Sequence, residues 1–228
     1  MSARASPLAR LPRWMSHWLG YRDPDTPPST PPNYVVWLWT FIGAFSGLSI
    51  IQAVFVHSHH FVDHHVPSII ASYGASAVLC YGAIEAPLAQ PRALMAGHFI
   101  SAVIGVCITK LFSLLPADRL EQLRWLAGCL SAATAIVVMQ ITETTHPPAG
   151  ATALLAAVSP DMYSMGWYYL PIILLSSTLV LVSALLINNI QRRYPVYWWE
   201  PVIPPMAKPL PSVDAEKESD ESGRQSPA

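Results

Sequence analysis

Apolar runs of membrane-crossing length dominate the middle of this 228-residue chain. A helix needs about 20 apolar residues to cross the hydrocarbon core of a bilayer, and four runs qualify: 34–56, 94–115, 125–142 and 167–190. Two further runs are ambiguous. The stretch 66–84 is long enough but rich in Ser, Gly and Ala, whereas 147–159 has only 13 residues, the length of a re-entrant or half-membrane helix. Charge follows the same division, because 17 of the 27 Asp, Glu, Lys and Arg residues lie in 1–34 and 191–228. With 12% charged residues against about 25% in ordinary soluble domains, and a mean hydropathy of +0.35, the chain is not built as a water-soluble enzyme.

Interfacial aromatic residues support these limits. Tyr34, Trp37 and Trp39 open the first run, Trp125 the third, and Trp167, Tyr168 and Tyr169 the last, which Tyr194, Tyr197, Trp198 and Trp199 follow. Gly43 with Gly47, and Gly97 with Ser101 and Gly105, form small-residue faces suited to helix packing in lipid and to a homo-oligomer. The net charge of −1 contains no basic stripe, so no nucleic-acid partner is expected. Cys80, Cys107 and Cys129 fall in apolar runs without a disulfide or zinc spacing.

The flanks read as different material. Residues 1–33 are basic at first and then Pro-rich, and 191–228 combine proline with an acidic, Ser-rich tail; both are expected to be disordered around a transmembrane domain at 34–190. The basic start suits a cytoplasmic tail better than a transit peptide, and no secretory signal is expected ahead of the first run.

The segments Gly74-Ala75-Ser76-Ala77-Val78-Leu79 and Gly150-Ala151-Thr152-Ala153-Leu154-Leu155 match at four of six positions, 76 residues apart. Each sits in one ambiguous run, which suggests two pseudo-repeats of span, interrupted segment and span. Paired interruptions in the two halves of a transporter point to its binding site. If both segments dip and return on one side, an all-α bundle of four full spans results, with 12 of 13 Lys and Arg residues on the side of the termini. If both cross, there are six spans and ten of those residues on that side. Both arrangements satisfy the positive-inside tendency and place both termini in the cytoplasm. Four full spans plus two re-entrant or short segments is the preferred expectation, in a multi-pass protein of the plasma membrane or of an organelle membrane.

The most informative stretch is Glu143-Thr144-Thr145-His146-Pro147-Pro148-Ala149-Gly150. With the upstream Gly74–Leu79 segment, and with Pro87-Leu88-Ala89-Gln90-Pro91-Arg92 followed by Gly97-His98, it resembles the HPP family of integral membrane proteins, over roughly residues 35–190. The resemblance implies a four-span membrane domain and, through plant and cyanobacterial relatives, nitrite transport.

The residues themselves suit an anion. Pro147 and Pro148 should break the chain and begin a short helix inside the membrane, whose amides and positive dipole end favour negative charge. Thr144, Thr145, His146, Gly150 and Thr152 from this segment, with Ser72, Gly74 and Ser76 from the first, are the expected binding residues. The bland alternative is that the prolines kink a helix and the threonines satisfy freed carbonyls. Glu143 and His146 are candidates for a proton relay, and Arg92 and His98 for the entrance of the pathway.

His57, His59, His60, Asp63, His64 and His65 crowd one loop and raise a rival reading, a metal-binding or metal-transporting membrane protein. A membrane scaffold without transport is a third. No nucleophile, base and orienting group form a recognisable set, so neither an enzyme nor a cofactor is expected. The expected partners are the lipid bilayer and a small inorganic anion.

Overall fold

In the computed structural model, residues 7–23 and 31–200 are described. Among them every regular element is helical: α1 Arg13–Trp18, α2 Asn33–His57, α3 His59–Asp63, α4 Ser72–Ala77, α5 Pro91–Phe112, α6 Ala117–Ile141, α7 Pro147–Val158, α8 Pro160–Met165 and α9 Tyr169–Asn188. A π-helical turn, Val78–Gly82, continues α4. Four helices are long and apolar enough to cross a membrane: α2, α5, α6 and the stretch Pro160–Asn188 that ends in α9. The all-α membrane bundle with four long helices and two short apolar segments is what the sequence predicts. One limit differs, since α6 starts at Ala117, eight residues before its apolar run, and carries Asp118, Arg119, Glu121 and Arg124 beyond it.

Contacts between helix ends show which way each pass runs. At one end, Trp39 Nε1 donates to Gln191 Oε1 at 2.7 Å, and Thr40 Oγ1 and Arg192 Nη1 donate to the Tyr81 carbonyl at 3.1 and 2.9 Å. Arg92 Nη2 donates to Thr142 O there at 2.8 Å. This end therefore holds the starts of α2 and α5, the finish of the α4 turn, and the finishes of α6 and α9. At the other end His60 Nε2 lies 2.9 Å from Tyr168 Oη, and the Arg124 guanidinium sits 4.8 Å from the Tyr163 ring centre.

Both broken segments run from one end to the other. The first leaves His65 beside the finish of α2 and reaches Gly82 beside Thr40. The second leaves Thr142 beside Arg92, and near its finish Ala156 lines a cavity with Thr109 and Lys110 from the last turn of α5. The four full spans and two short segments stand as expected, and each short segment runs on toward the far end of the bundle rather than turning back. Extended chain explains why 13 apolar residues suffice. Three residues, 144–146, reach at most about 10 Å, and the 12 residues of α7 add about 18 Å, together close to the thickness of the hydrocarbon core.

Each broken pass is entered through the same kind of turn. At the finish of α6, Thr144 N–H donates to Met139 O at 2.9 Å and Glu143 N–H to Gln140 O at 3.2 Å, with Glu143 at φ 54°. At the finish of α3, Val66 N–H donates to Phe61 O and His65 N–H to Val62 O, both at 3.0 Å, with His65 at φ 53°. These are Schellman turns, which satisfy the last carbonyls of a helix and usually place glycine at the left-handed position. At its far end the first broken pass leaves carbonyls unpaired by its own helix. Asn188 Nδ2 takes up Cys80 O at 2.8 Å, and Thr40 and Arg192 take up Tyr81 O. Irregular backbone at membrane depth needs partners of this kind.

The flanks depart from expectation. Residues 7–23 and 191–200, placed in disordered tails by composition, pack on each other. Arg22 Nη2 donates to Asn189 Oδ1 at 3.0 Å, Arg193 Nε to Gly20 O at 2.9 Å and Trp198 Nε1 to Leu19 O at 3.0 Å, while Asn189 and Tyr194 are fully buried. Tryptophan and arginine supply there the buried surface and donors that the Pro-rich stretches lack. Residues 1–6, 24–30 and 201–228, the rest of those predicted tails, lie outside the described residues.

The small-residue faces are filled from within the chain. Gly43 and Gly47 take the Tyr81 ring, and a Cβ on Gly97 would stand 2.8 Å from Thr144 O and 2.9 Å from His146 Cβ. A Cβ on Gly105 would stand 2.7 Å from Ala153 O. These faces serve intrachain packing.

Candidate functional site

Where the two broken passes run beside each other, five polar side chains form a continuous array. Ser72 and Ser76 are one turn apart on α4 and share a face, His98 comes from α5, His146 is the N-cap of α7, and Thr152 lies on that helix. Ser76 Oγ stands 2.8 Å from His98 Nε2 and 2.9 Å from His146 Nε2. His98 Nδ1 is 2.8 Å from Thr152 Oγ1, which donates to Ser72 Oγ at 2.8 Å. His146 Nδ1 donates to the Leu88 carbonyl at 2.8 Å. None of the five is more than 2% exposed. The two imidazole centres are 4.9 Å apart, and the Tyr73 ring stacks on His98 at 4.6 Å.

Local sequence places each group. A residue before proline is driven to extended backbone, and His146 sits at φ −134°, ψ 100°, which turns the chain out of the α6 direction. Gly97 allows His146 to approach α5, one residue before His98. Tyr169 Oη donates to Thr152 O at 3.0 Å, and Tyr73 Oη to Ile173 O at 2.7 Å, which ties α7 and α4 to α9.

Of the expected binding residues, Ser72, Ser76, His146 and Thr152 converge. Thr144 faces elsewhere, its hydroxyl 2.8 Å from that of Thr142, and Thr145 is half-buried without a side-chain bond to the array. Gly74 is exposed with open space around it, and Gly150 faces Ile136. The start of α7 offers fewer amides than its position suggests. Pro147 and Pro148 have no N–H, and Ala149 N–H donates to His146 O at 2.8 Å, so side chains rather than the helix terminus carry the polar chemistry.

His98, expected at the entrance, is at the centre. Arg92 does lie at a mouth, 3.9 Å from Glu143 Oε2, with Trp199 over its guanidinium at 5.3 Å. Glu143 is exposed and makes no bond to His146, so the two do not form a direct relay. The histidine loop does not assemble a metal site. His60 Nε2 meets Tyr168 Oη, His64 Nδ1 bonds to His60 O at 2.7 Å, and among the described residues no three His, Cys, Asp or Glu could hold an ion. The partners not expected from sequence are Leu88, Tyr73 and Tyr169. Leu88 contributes a backbone carbonyl, which no side-chain pattern signals; Tyr169 read as an interfacial aromatic but is fully buried, and nothing in the sequence singled out Tyr73.

Two cavities of about 180 Å³ open at opposite ends of the bundle. One is lined by Gln90, Arg92, Glu143, Tyr197 and Trp199. The other is lined by Thr109, Lys110, Ala156, Tyr163 and Gly166. Each holds a basic side chain, and the buried array lies between them, since His98 falls between Arg92 and Lys110 on α5 and Thr152 is one turn from Ala156 on α7.

Four apolar helices around two broken passes define a polytopic helical membrane protein. The chain matches the family model of the HPP transmembrane region over residues 29–195 and belongs to the HPP family. It is 34% identical over 190 residues to a transmembrane protein of Dictyostelium discoideum, covering 82% of this chain and 64% of that one. A second Dictyostelium discoideum transmembrane protein is 36% identical over 164 residues, 71% of this chain and 50% of the relative. The chain thus spans between half and just under two thirds of the length of these relatives. No solved structure matches it.

Proposed function

We propose that the chain is a membrane transport protein rather than an enzyme, and that its cargo is a small monovalent anion, nitrite first among the candidates. The observation that carries this reading is a polar line through an apolar bundle: a basic mouth at each end, Arg92 and Lys110, and a buried set of hydroxyls and imidazoles between them on the broken passes. Polar groups at this depth are expensive and mark ion pathways. The family resemblance points to nitrite, whose single charge is spread over two oxygens that hydroxyl and imidazole donors suit. Of the described Lys and Arg residues, Arg10, Arg13, Arg22, Arg92, Arg192 and Arg193 lie toward the end of the termini and Lys110, Arg119 and Arg124 toward the other. That bias favours cytoplasmic termini.

Purified protein in liposomes tests the reading. Nitrite uptake above that of protein-free liposomes is expected, reduced by His146→Ala or Thr152→Val. No uptake at any pH would overturn it. Zinc flux that disappears when His59, His60, His64 and His65 become Ala would support the metal reading instead.

A further inference from the structure

The hydrogens of the buried array can be counted. A carbonyl only accepts, so the bond to Leu88 O requires a hydrogen on His146 Nδ1. Thr152 has one hydroxyl hydrogen and directs it to Ser72 Oγ. Its bond with His98 Nδ1 therefore takes a hydrogen from the ring. Both imidazoles then carry a hydrogen on Nδ1. Ser76 Oγ lies between the two Nε2 atoms at 2.8 and 2.9 Å and 3.4 Å from Ser72 O; turned toward the nearer ring atoms, its single hydrogen satisfies one Nε2. With the hydroxyls turned this way the other Nε2 donates, which makes one ring of the pair an imidazolium. The neutral pair fits the same atoms if Ser72 turns to donate to Thr152 and Thr152 to His98. Two hydroxyl rotations thus separate the charge states.

We propose that His98 and His146, bridged by Ser76, are one proton-binding unit that takes up a single proton together with a single anion. This rests on the anion reading above and deepens it to proton-coupled, electroneutral movement. The surroundings give the reason. His98 is faced by Tyr73 from α4 and by His146 and Thr152 from the second broken pass; Tyr169 of α9 bonds to Thr152, and Met139 of α6 packs beside Gly97. Arg92 and Lys110, on the same helix, stand about 9 Å and 18 Å away along its axis, at the two mouths. Among the described residues no carboxylate bonds or ion-pairs with either imidazole. A cation buried without a counter-ion is costly, and so is an anion. Entering together they leave the site neutral, so each raises the affinity for the other. The anion oxygen would take the place of Ser76 Oγ, where the two Nε2 atoms converge.

Nitrite titrated calorimetrically into the full chain in lipid nanodiscs, in buffers of different ionisation enthalpy, measures the protons taken up. The expected result above the ordinary histidine range is one proton per nitrite, lost in His98→Gln and in His146→Gln. Nitrogen-15 histidine spectra of the unmodified protein should show one doubly protonated buried ring with saturating nitrite and none without it. Nitrite bound with no proton uptake and both rings singly protonated would overturn this proposal and leave the anion reading standing. Absence of nitrite binding would overturn the nitrite reading. Acidification in chloride then decides for the pair: a proton gained by one ring only supports the unit, and by both or neither overturns it.

Discussion

His146 Nδ1 donates to the Leu88 carbonyl oxygen at 2.8 Å, and this bond ties the turn after the first broken pass to the helix start of the second. It also fixes the tautomer of His146, so its Nε2 faces Ser76 and, through it, His98. Neither pass alone could present both imidazoles to one hydroxyl.

Ser76→Ala removes the bridge and leaves two buried Nε2 atoms unsatisfied. A loss of about 1–3 kcal/mol is expected, read as a lower thermal midpoint in detergent, together with reduced nitrite flux. Unchanged stability would mean that the bridge is not formed.

Glu143→Gly tests the Schellman turn against the proton relay. A left-handed residue other than glycine is strained by about 1 kcal/mol, and the exposed Glu143 to Arg92 pair at 3.9 Å offsets little of it. The variant should be as stable as the parent or more so, with flux retained. A collapse of pH-dependent flux would restore Glu143 to the relay.

Two glycine substitutions should act in opposite directions. Gly105→Ala drives a methyl group against Ala153 O and Ala156 on α7, at a cost of about 1–3 kcal/mol from overpacking. Gly74→Ala meets open space on α4 and should gain about 0.5–1 kcal/mol from helix propensity. Thermal unfolding of both proteins checks the pair.

Arg192→Gln removes the donors to Tyr81 O and to Asn188 Oδ1, at 2.9 and 2.6 Å. The finish of the first broken pass then loses a charged partner at a half-buried site. Destabilisation of about 1–3 kcal/mol is expected, with Arg192→Lys recovering only part because one ammonium cannot reproduce the two-pronged contact. Equal stability of Arg192→Lys and the parent would contradict this role.

Much of this molecule is readable one residue at a time. Run length and charge depletion determine that the chain is a helical membrane protein, because a backbone in lipid must satisfy its own hydrogen bonds, and Pro147-Pro148 determines where α7 begins. The matching Ser76 and Thr152 segments lie on two short helices whose hydroxyls meet in the fold. Local sequence could not say whether the broken segments turn back or run on, because the reach of 144–146 depends on the path that the turn at Glu143 and the packing of His146 on Gly97 impose. Nor could it separate His98 from Arg92, six residues apart on one helix. Only the folded bundle puts one at a mouth and the other in a buried centre, since depth is a property of what surrounds a helix. Tertiary structure likewise withdrew Thr144 and Gly150 from the site, left the histidine loop without a three-ligand set, and brought Ser72, Ser76, His98, His146 and Thr152 into one array by laying two short helices side by side.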